Sequence, residues 1–208
     1  MPEVAAGAAG ELDDLRAACR AAVARLTNAV VDSLIVVGSD TTTVRREPPF
    51  GGTLLPWGID LPVGDPAGEQ LPLSLLIGAW LAPWAGNFQS VAADAAPGEC
   101  ARLGRALAGE ADRVGLLVLG DGSSCRTDKA PGYFDPRAEA FDAAVASALA
   151  KADPAGLAGI DPGEAAELLA AGRAPWQVLA GAADRPMTGE LLYDSAPYGV
   201  GYFVASWA

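Results

Sequence analysis

Histidine is absent from this chain of 208 residues, and its absence removes the commonest catalytic machinery. Non-haem iron held by a facial triad needs two imidazole ligands, and catalytic zinc usually needs at least one. Serine and cysteine nucleophiles generally rely on histidine as the base that takes their proton. The ordinary forms of these sites are therefore excluded, and carboxylates, lysines, tyrosines and backbone amides are left to carry any chemistry.

Positive charge, long apolar runs and paired cysteines are also scarce. The 14 basic residues face 26 acidic ones, a net charge of -12 that repels phosphate backbones, so nucleic acid is not an expected partner. The longest apolar run, residues 71–84, is broken by Pro and Gly and is shorter than the roughly 20 residues that cross a bilayer, so no membrane partner is expected. The three cysteines contain no CxxC pair and favour a reducing compartment, which predicts a cytoplasmic protein.

Apolar strands that alternate with amphipathic helices dominate the rest of the sequence. This alternation predicts an α/β fold with a mostly parallel or mixed central sheet flanked by helices, in a single domain over residues 1–208. A stretch rich in Pro and Gly, residues 45–70, is predicted to be a long structured loop with a short strand near Leu61. The predicted strands are 33–39, 88–94, 114–120, 189–195 and 200–207, and the predicted helices are 11–26, 72–84, 99–112, 135–151, 161–172 and 175–183.

The strand at 114–120 runs into the loop Gly-Asp-Gly-Ser-Ser-Cys, a position where α/β proteins often build their sites. The loop matches neither the P-loop, nor GxGxxG, nor the GxSxG elbow. One interpretation makes Asp121, Ser123 and Ser124 the border of a small polar pocket, and the other makes them residues that only satisfy a tight turn. Farther along the loop, Lys129 could bind an anion or be a solvated charge, and Cys125 lacks the base that a nucleophile needs.

A second polar segment, Asp40 to Thr43, follows the strand at 33–39. If this strand lies parallel and adjacent to the strand at 114–120, Asp40 and Thr41 should share one sheet edge with Asp121 and Ser124. That arrangement predicts a pocket for a small-molecule ligand. The alternative is a local turn in which the side chains bond their own backbone. No metal or other cofactor is expected; a carboxylate-only site for a hard cation stays open as an alternative, although no loop is dense in such ligands.

Several motifs, taken in order, resemble the class III extradiol ring-cleavage dioxygenase superfamily, the LigB-like fold. They are the loop from Gly120 to Ser124, the pair Phe141-Asp142 on the next helix, the late segment from Pro175 to Ala183, and the closing APYGVGYFVASW. The resemblance is particularly close to small, Ala-rich actinobacterial members. It implies a LigB-like α/β fold, catechol-type substrates and an Fe(II) cofactor.

The positions that would carry the iron ligands depart from that family. Ser124 stands where the resemblance implies a catalytic histidine, Asp40 or Thr41 stands at a second ligand position, and Ala171 or Gly172 stands at the third. We therefore expect a pseudoenzyme that binds a small ligand or has a regulatory role, without a classical iron site. The alternatives are histidine-free catalysis by Asp40, Asp121 or Lys129, and an active ring-cleavage dioxygenase or other oxidoreductase whose metal site is completed by upstream residues or a partner chain.

The resemblance also implies an interior first strand with a His-Pro motif, which this sequence does not contain. A sheet without that strand would leave backbone groups unpaired. The expected explanations are a natural start upstream of Met1, a strand donated by another chain, or a sheet that has closed up. A homodimer is left open.

Overall fold

The structure is a computed structural model in which residues 10–208 are described. Helices and strands alternate from residue 73 to residue 151, whereas five strands follow one another before that stretch and three further helices follow it. Short 3-10 turns lie at Gly10–Leu12, Leu55–Trp57 and Pro197–Gly199. The helices are α1 (Asp13–Asn28), α2 (Leu73–Leu81), α3 (Pro97–Ala108), α4 (Ala138–Lys151), α5 (Pro154–Ala158), α6 (Pro162–Glu167) and α7 (Arg173–Ala182). The strands are β1 (Ser33–Asp40), β2 (Val44–Arg46), β3 (Phe50–Thr53), β4 (Pro62–Gly64), β5 (Glu69–Gln70), β6 (Asn87–Ala92), β7 (Val114–Leu119), β8 (Gly189–Ser195) and β9 (Tyr202–Trp207).

The central sheet has four strands in the order β2-β6-β1-β7. Strand β1 pairs in parallel with β6 on one side and with β7 on the other, and β2 pairs antiparallel with β6. The predicted α/β class with a mixed central sheet flanked by helices is therefore confirmed. The parallel pairing of β1 with β7 brings the carboxyl ends of both strands to the same sheet edge.

Both faces of the sheet are buried, which is why β1 is almost uninterrupted apolar sequence. Ile35 and Val37 pack into a cluster with residues of α3 and α7 on one face. Val36 alternates to the opposite face and packs with Leu75 and Leu76 of α2. The sheet thus forms the middle layer of a three-layer arrangement.

Two smaller sheets complete the fold. Within the predicted loop at 45–70, β3 pairs with β4 and β5, so the single short strand expected near Leu61 is one of three. The predicted closing strands are confirmed as the antiparallel hairpin β8-β9. In the part of the chain that the structure describes, no helix has the length and apolar character that crossing a bilayer requires.

The predicted helix at 161–172 is wrong in its second half. Helix α6 ends at Glu167, and Leu169 has a φ of 54°, in the left-handed region that interrupts a right-handed helix. Gly172 lies at the N-cap of α7 instead of at the end of α6. The irregular segment 168–172 then lies beside the loop that follows β7.

Candidate functional site

The loop after β7, residues 120–134 and hereafter the exit loop, is anchored by the buried carboxylate of Asp142 on α4. The backbone N–H and the hydroxyl of Ser123 each donate to this carboxylate over 2.8 Å. The guanidinium of Arg126 donates to it over 3.1 Å and forms an ion pair with it. Hydrogen bonds to a charged acceptor are stronger than hydrogen bonds between neutral groups. The Asp142 carboxylate therefore fixes both ends of the Ser123–Arg126 turn.

Backbone hydrogen bonds hold the exit loop between two other segments. On one side, the N–H of Gly172 donates to Asp121 O at 2.8 Å and the N–H of Ser124 donates to Leu168 O at 3.0 Å. On the other side, the N–H of Gly122 donates to Gly201 O, and the N–H of Gly201 donates to Ser123 O, both at 2.8 Å. The β8-β9 hairpin is thereby joined to the edge of the central sheet beyond β7.

Glycine is required at the tightest of these approaches. A Cβ atom added to Gly201 would lie 2.5 Å from Oδ2 of Asp142, and one added to Gly120 would lie 2.3 Å from the Cα atom of Gly172. Both distances are shorter than the roughly 3.5 Å at which non-bonded heavy atoms make favourable contact. The backbone segments therefore approach one another as closely as they can, and the loop is held in one conformation.

Asp121 and Tyr202 form the electrostatically perturbed part of the site. Desolvation raises the pKa of the Asp121 carboxyl, although the residue remains exposed to solvent. Burial, followed by the negative charge of Asp121 and by Tyr193, raises the pKa of Tyr202 to about 12. The Tyr202 phenol is therefore protonated at neutral pH.

Replacing Asp121 with asparagine should stabilise the protein at pH 7 and lower the pKa of Tyr202 towards its ordinary value of 10. A carboxyl whose pKa is raised by folding destabilises the folded state once it ionises, so the cost is absent below the ordinary pKa of 3.8 and grows as the pH rises through the folded pKa. Thermal unfolding at pH 3 and pH 7 measures the first effect. Absorbance titration at 295 nm, with Tyr202→Phe to assign the signal, measures the second.

The control for this prediction is Asp128→Asn, which removes an exposed carboxylate of the same loop. It should leave the titration of Tyr202 unchanged. A Tyr202 titration that is equally unchanged in Asp121→Asn would show that the two groups do not interact.

Asp40 and Thr41 lie at the same sheet edge, at the end of β1, but their side chains form a separate group. The Asp40 carboxylate accepts from the Thr41 N–H at 2.7 Å and pairs with Arg46, which also pairs with Glu69. Within residues 10–208, no hydrogen bond or ion pair joins Asp40 or Thr41 to the exit loop. The bond from Thr41 to Asp40 is that of a local turn, and the prediction of one shared pocket stays a prediction.

The sequence-predicted residues of the exit loop have different environments. Ser123 is fully buried and its hydroxyl is bound to Asp142. Ser124 is partly buried, and its hydroxyl donates to Leu169 O at 3.4 Å. Asp121 reaches solvent, so among these three it is the side chain most accessible to a ligand.

A groove of about 490 Å³, hereafter the exit groove, opens between the exit loop and the turn that precedes β9. Tyr198 forms one wall with its side chain 56% exposed and its φ at 59°, and its hydroxyl donates to Glu11 at 2.8 Å. Lys129 is exposed and makes no ion pair with residues 10–208. The full lining is Thr127, Asp128, Lys129, Ala196, Tyr198 and Gly199.

Sequence reasoning missed Tyr198, Tyr202 and the anchoring role of Asp142. The positive φ of Tyr198 has no local sequence signal, because tyrosine rarely adopts this conformation. The pair Phe141-Asp142 was a usable signal, since a carboxylate on an apolar helix face needs a buried partner. Lys129 is the one residue considered from the sequence as a ligand contact that lines the exit groove. The lining does not include the predicted pocket residues Asp40, Thr41, Asp121, Ser123 and Ser124.

Cys125 is buried behind the exit loop, where its thiol lies near the carbonyls of Leu168 and Gly132. Burial, reinforced by the negative charges of Asp135 and Asp142, raises the pKa of this thiol. A buried, protonated thiol is a poor nucleophile, which disfavours the catalytic interpretation of Cys125.

The residues at the positions implied for iron do not fit an Fe(II) centre. The Ser124 hydroxyl is bound to a carbonyl, the Asp40 carboxylate is paired with Arg46, and Gly172 has no side chain. Among residues 10–208, no cluster of three or more His, Cys, Asp or Glu side chains could hold a metal ion. The expectation of a metal-free protein stays a prediction.

Comparison with known proteins adds no relative to this picture. No protein-family model matches the chain, and no curated protein matches it significantly.

Proposed function

We propose that the protein is a diverged, LigB-like relative of the class III extradiol dioxygenases that binds a small anionic ligand in the exit groove and does not cleave aromatic rings. The observation that carries the proposal is the exit groove itself, which has a volume of about 490 Å³. The loop beside it is held by hydrogen bonds to Asp142, to the segment 168–172 and to Gly201. Its volume falls in the range of about 300–1,000 Å³ that small-molecule sites occupy.

The contact between two of the family-like motifs supports the proposed ancestry. The Gly-Asp-Gly-Ser-Ser loop and the Phe141-Asp142 pair are separate in the sequence, where Ser123 and Asp142 lie 19 positions apart. In the fold Asp142 binds Ser123 directly. A motif pair that forms one anchored loop is more specific than either motif alone.

The chemistry of the exit groove supports an anionic ligand with a flat body. Lys129 is the only cation among the described lining residues and makes no ion pair within residues 10–208, and the one carboxylate in the lining is that of Asp128. Tyr198 offers an exposed aromatic face on the opposite side of the groove. An ammonium group and a tyrosine ring together suit an aromatic or enolic carboxylate.

The same physical features support the proposed setting of the protein. The acidic surface disfavours nucleic acid as a partner, and three free cysteines suit a reducing cytoplasm. A binding role, as receptor or regulatory subunit, requires neither iron nor an imidazole base.

Replacing Lys129 with alanine should weaken the binding of 3,4-dihydroxybenzoate, a catechol carboxylate, by about tenfold. The physical reason is the loss of the groove's only cation, and catechol without the carboxylate should be insensitive to the change. Isothermal titration calorimetry of wild type and variant measures both affinities. Tyr198→Ala should weaken both ligands, because it removes the aromatic wall.

The other lysine of the chain supplies a matched control. Lys151 lies exposed at the end of α4, away from the exit groove, so Lys151→Ala should leave the affinity for 3,4-dihydroxybenzoate unchanged. Equal affinities in wild type and in the Lys129 and Tyr198 variants would overturn the assignment of the ligand to this groove.

A further inference from the structure

A second groove of about 410 Å³ lies between α1 and the end of α2, on a different part of the molecule from the exit groove. Most of its lining is apolar, with Trp80 and Trp84 on the α2 side and Val23 and Ala24 on the α1 side. The remaining lining residues are Arg20, Thr27, Asn28 and Leu81. This tryptophan groove takes no part in the proposed function.

Trp84 is held in solvent by a fixed turn. The N–H of Ala85 donates to Ala82 O at 2.9 Å, and Pro83 occupies the turn between them. Ala82 is fully buried and Ala85 nearly so, which fixes both ends of the turn, while Trp84 remains 55% exposed. A large aromatic side chain that is exposed on an ordered backbone loses little conformational entropy when it binds an apolar group.

Arg20 supplies the only charge among the lining residues. Its guanidinium is exposed and makes no hydrogen bond or ion pair with the described residues 10–208. A guanidinium beside two indoles is complementary to an anion that carries an apolar body.

We infer that the tryptophan groove is a binding site for a small amphiphilic anion, with its apolar chain against Trp80 and Trp84 and its carboxylate or sulfonate at Arg20. The volume of the groove suits a medium-length acyl chain or a bicyclic aryl group. The guanidinium can hold a carboxylate through two parallel hydrogen bonds.

Tryptophan fluorescence titration with decanoate, below its critical micelle concentration, tests this inference. Decanoate should change the indole emission, whereas decyltrimethylammonium, which has the opposite charge, should bind far more weakly. Arg20→Ala should weaken decanoate binding about fivefold, and Trp84→Ala about tenfold.

Two matched variants control for general effects. Arg105→Ala removes an exposed arginine from α3, and Trp57→Ala removes a tryptophan that is 51% exposed elsewhere, so both should retain wild-type affinity. Far-UV circular dichroism checks that all four variants are folded. The inference is overturned if decanoate binding is unaffected by both groove substitutions. The inference is also overturned if gel filtration shows a concentration-dependent dimer and decanoate does not bind to that dimer. The occupant of the groove would then be a second copy of the chain.

Discussion

Replacing Asp142 with alanine should lower the free energy of unfolding by about 3–5 kcal/mol, the cost of breaking a buried ion pair by removing one partner. The Asp142 side chain is 1% exposed and receives three hydrogen bonds, from the N–H and hydroxyl of Ser123 and from Arg126. Its loss leaves the N–H and hydroxyl of the buried Ser123 without their acceptor, and leaves Arg126 with Glu139, 3.8 Å away, as its remaining carboxylate partner. The exit loop should lose its fixed conformation before the rest of the fold does.

Urea unfolding measured by circular dichroism gives the change in free energy. Asp142→Asn keeps the shape and one acceptor oxygen, so its loss of stability should fall between wild type and Asp142→Ala. Asp112→Ala, at an exposed carboxylate, is the control and should shift stability by less than about 0.5 kcal/mol. A similarly small shift in Asp142→Ala would mean that Asp142 does not anchor the loop.

Replacing Arg173 with alanine should cost about 3 kcal/mol of unfolding free energy, because hydrogen bonds from a charged donor contribute about 1.5–3 kcal/mol each. Arg173 is 3% exposed at the start of α7, and its guanidinium donates to the carbonyls of Ala93 and Ala95 and to Gln177. Those carbonyls belong to the turn after β6. Arg173 therefore connects the turn after β6 to α7. The N-cap residue of α7, Gly172, is in turn hydrogen-bonded to the exit loop.

A second variant separates hydrogen bonding from packing at this position. Arg173→Met fills much of the same volume, so a loss close to that of Arg173→Ala would assign the effect to the missing hydrogen bonds. Arg185→Ala, at an exposed arginine, controls for the change in net charge. Unfolding free energies of wild type and Arg173→Ala that agree within error would contradict the bridging role.

The central sheet was predictable because its strands are defined by local pattern. The run Leu34–Val37 in β1 is apolar on both faces, which only a buried strand between two helical layers requires. The shared edge of β1 and β7 followed from the general rule for parallel strands. The three short strands within residues 45–70 were less predictable, because glycine and proline obscure the strand pattern there.

The site was less predictable because it depends on contacts between distant segments. One wall of the exit groove belongs to the turn between β8 and β9. This hairpin is held against the exit loop by hydrogen bonds of Gly201 with Gly122 and Ser123. The break between α6 and α7 depends on the left-handed Leu169, a residue type with high helix propensity. Local sequence contains neither signal, so tertiary contacts override the local preference at both places.

The most direct test of the proposed function is an oxygen-uptake trace of protein supplied with Fe(II) and a concentration of 3,4-dihydroxybenzoate that saturates the binding site. We predict no oxygen uptake above that of Fe(II) alone, although the ligand is bound. Catalytic oxygen uptake with a ring-cleaved product would contradict it, and would show that this chain retains dioxygenase chemistry without a single histidine of its own.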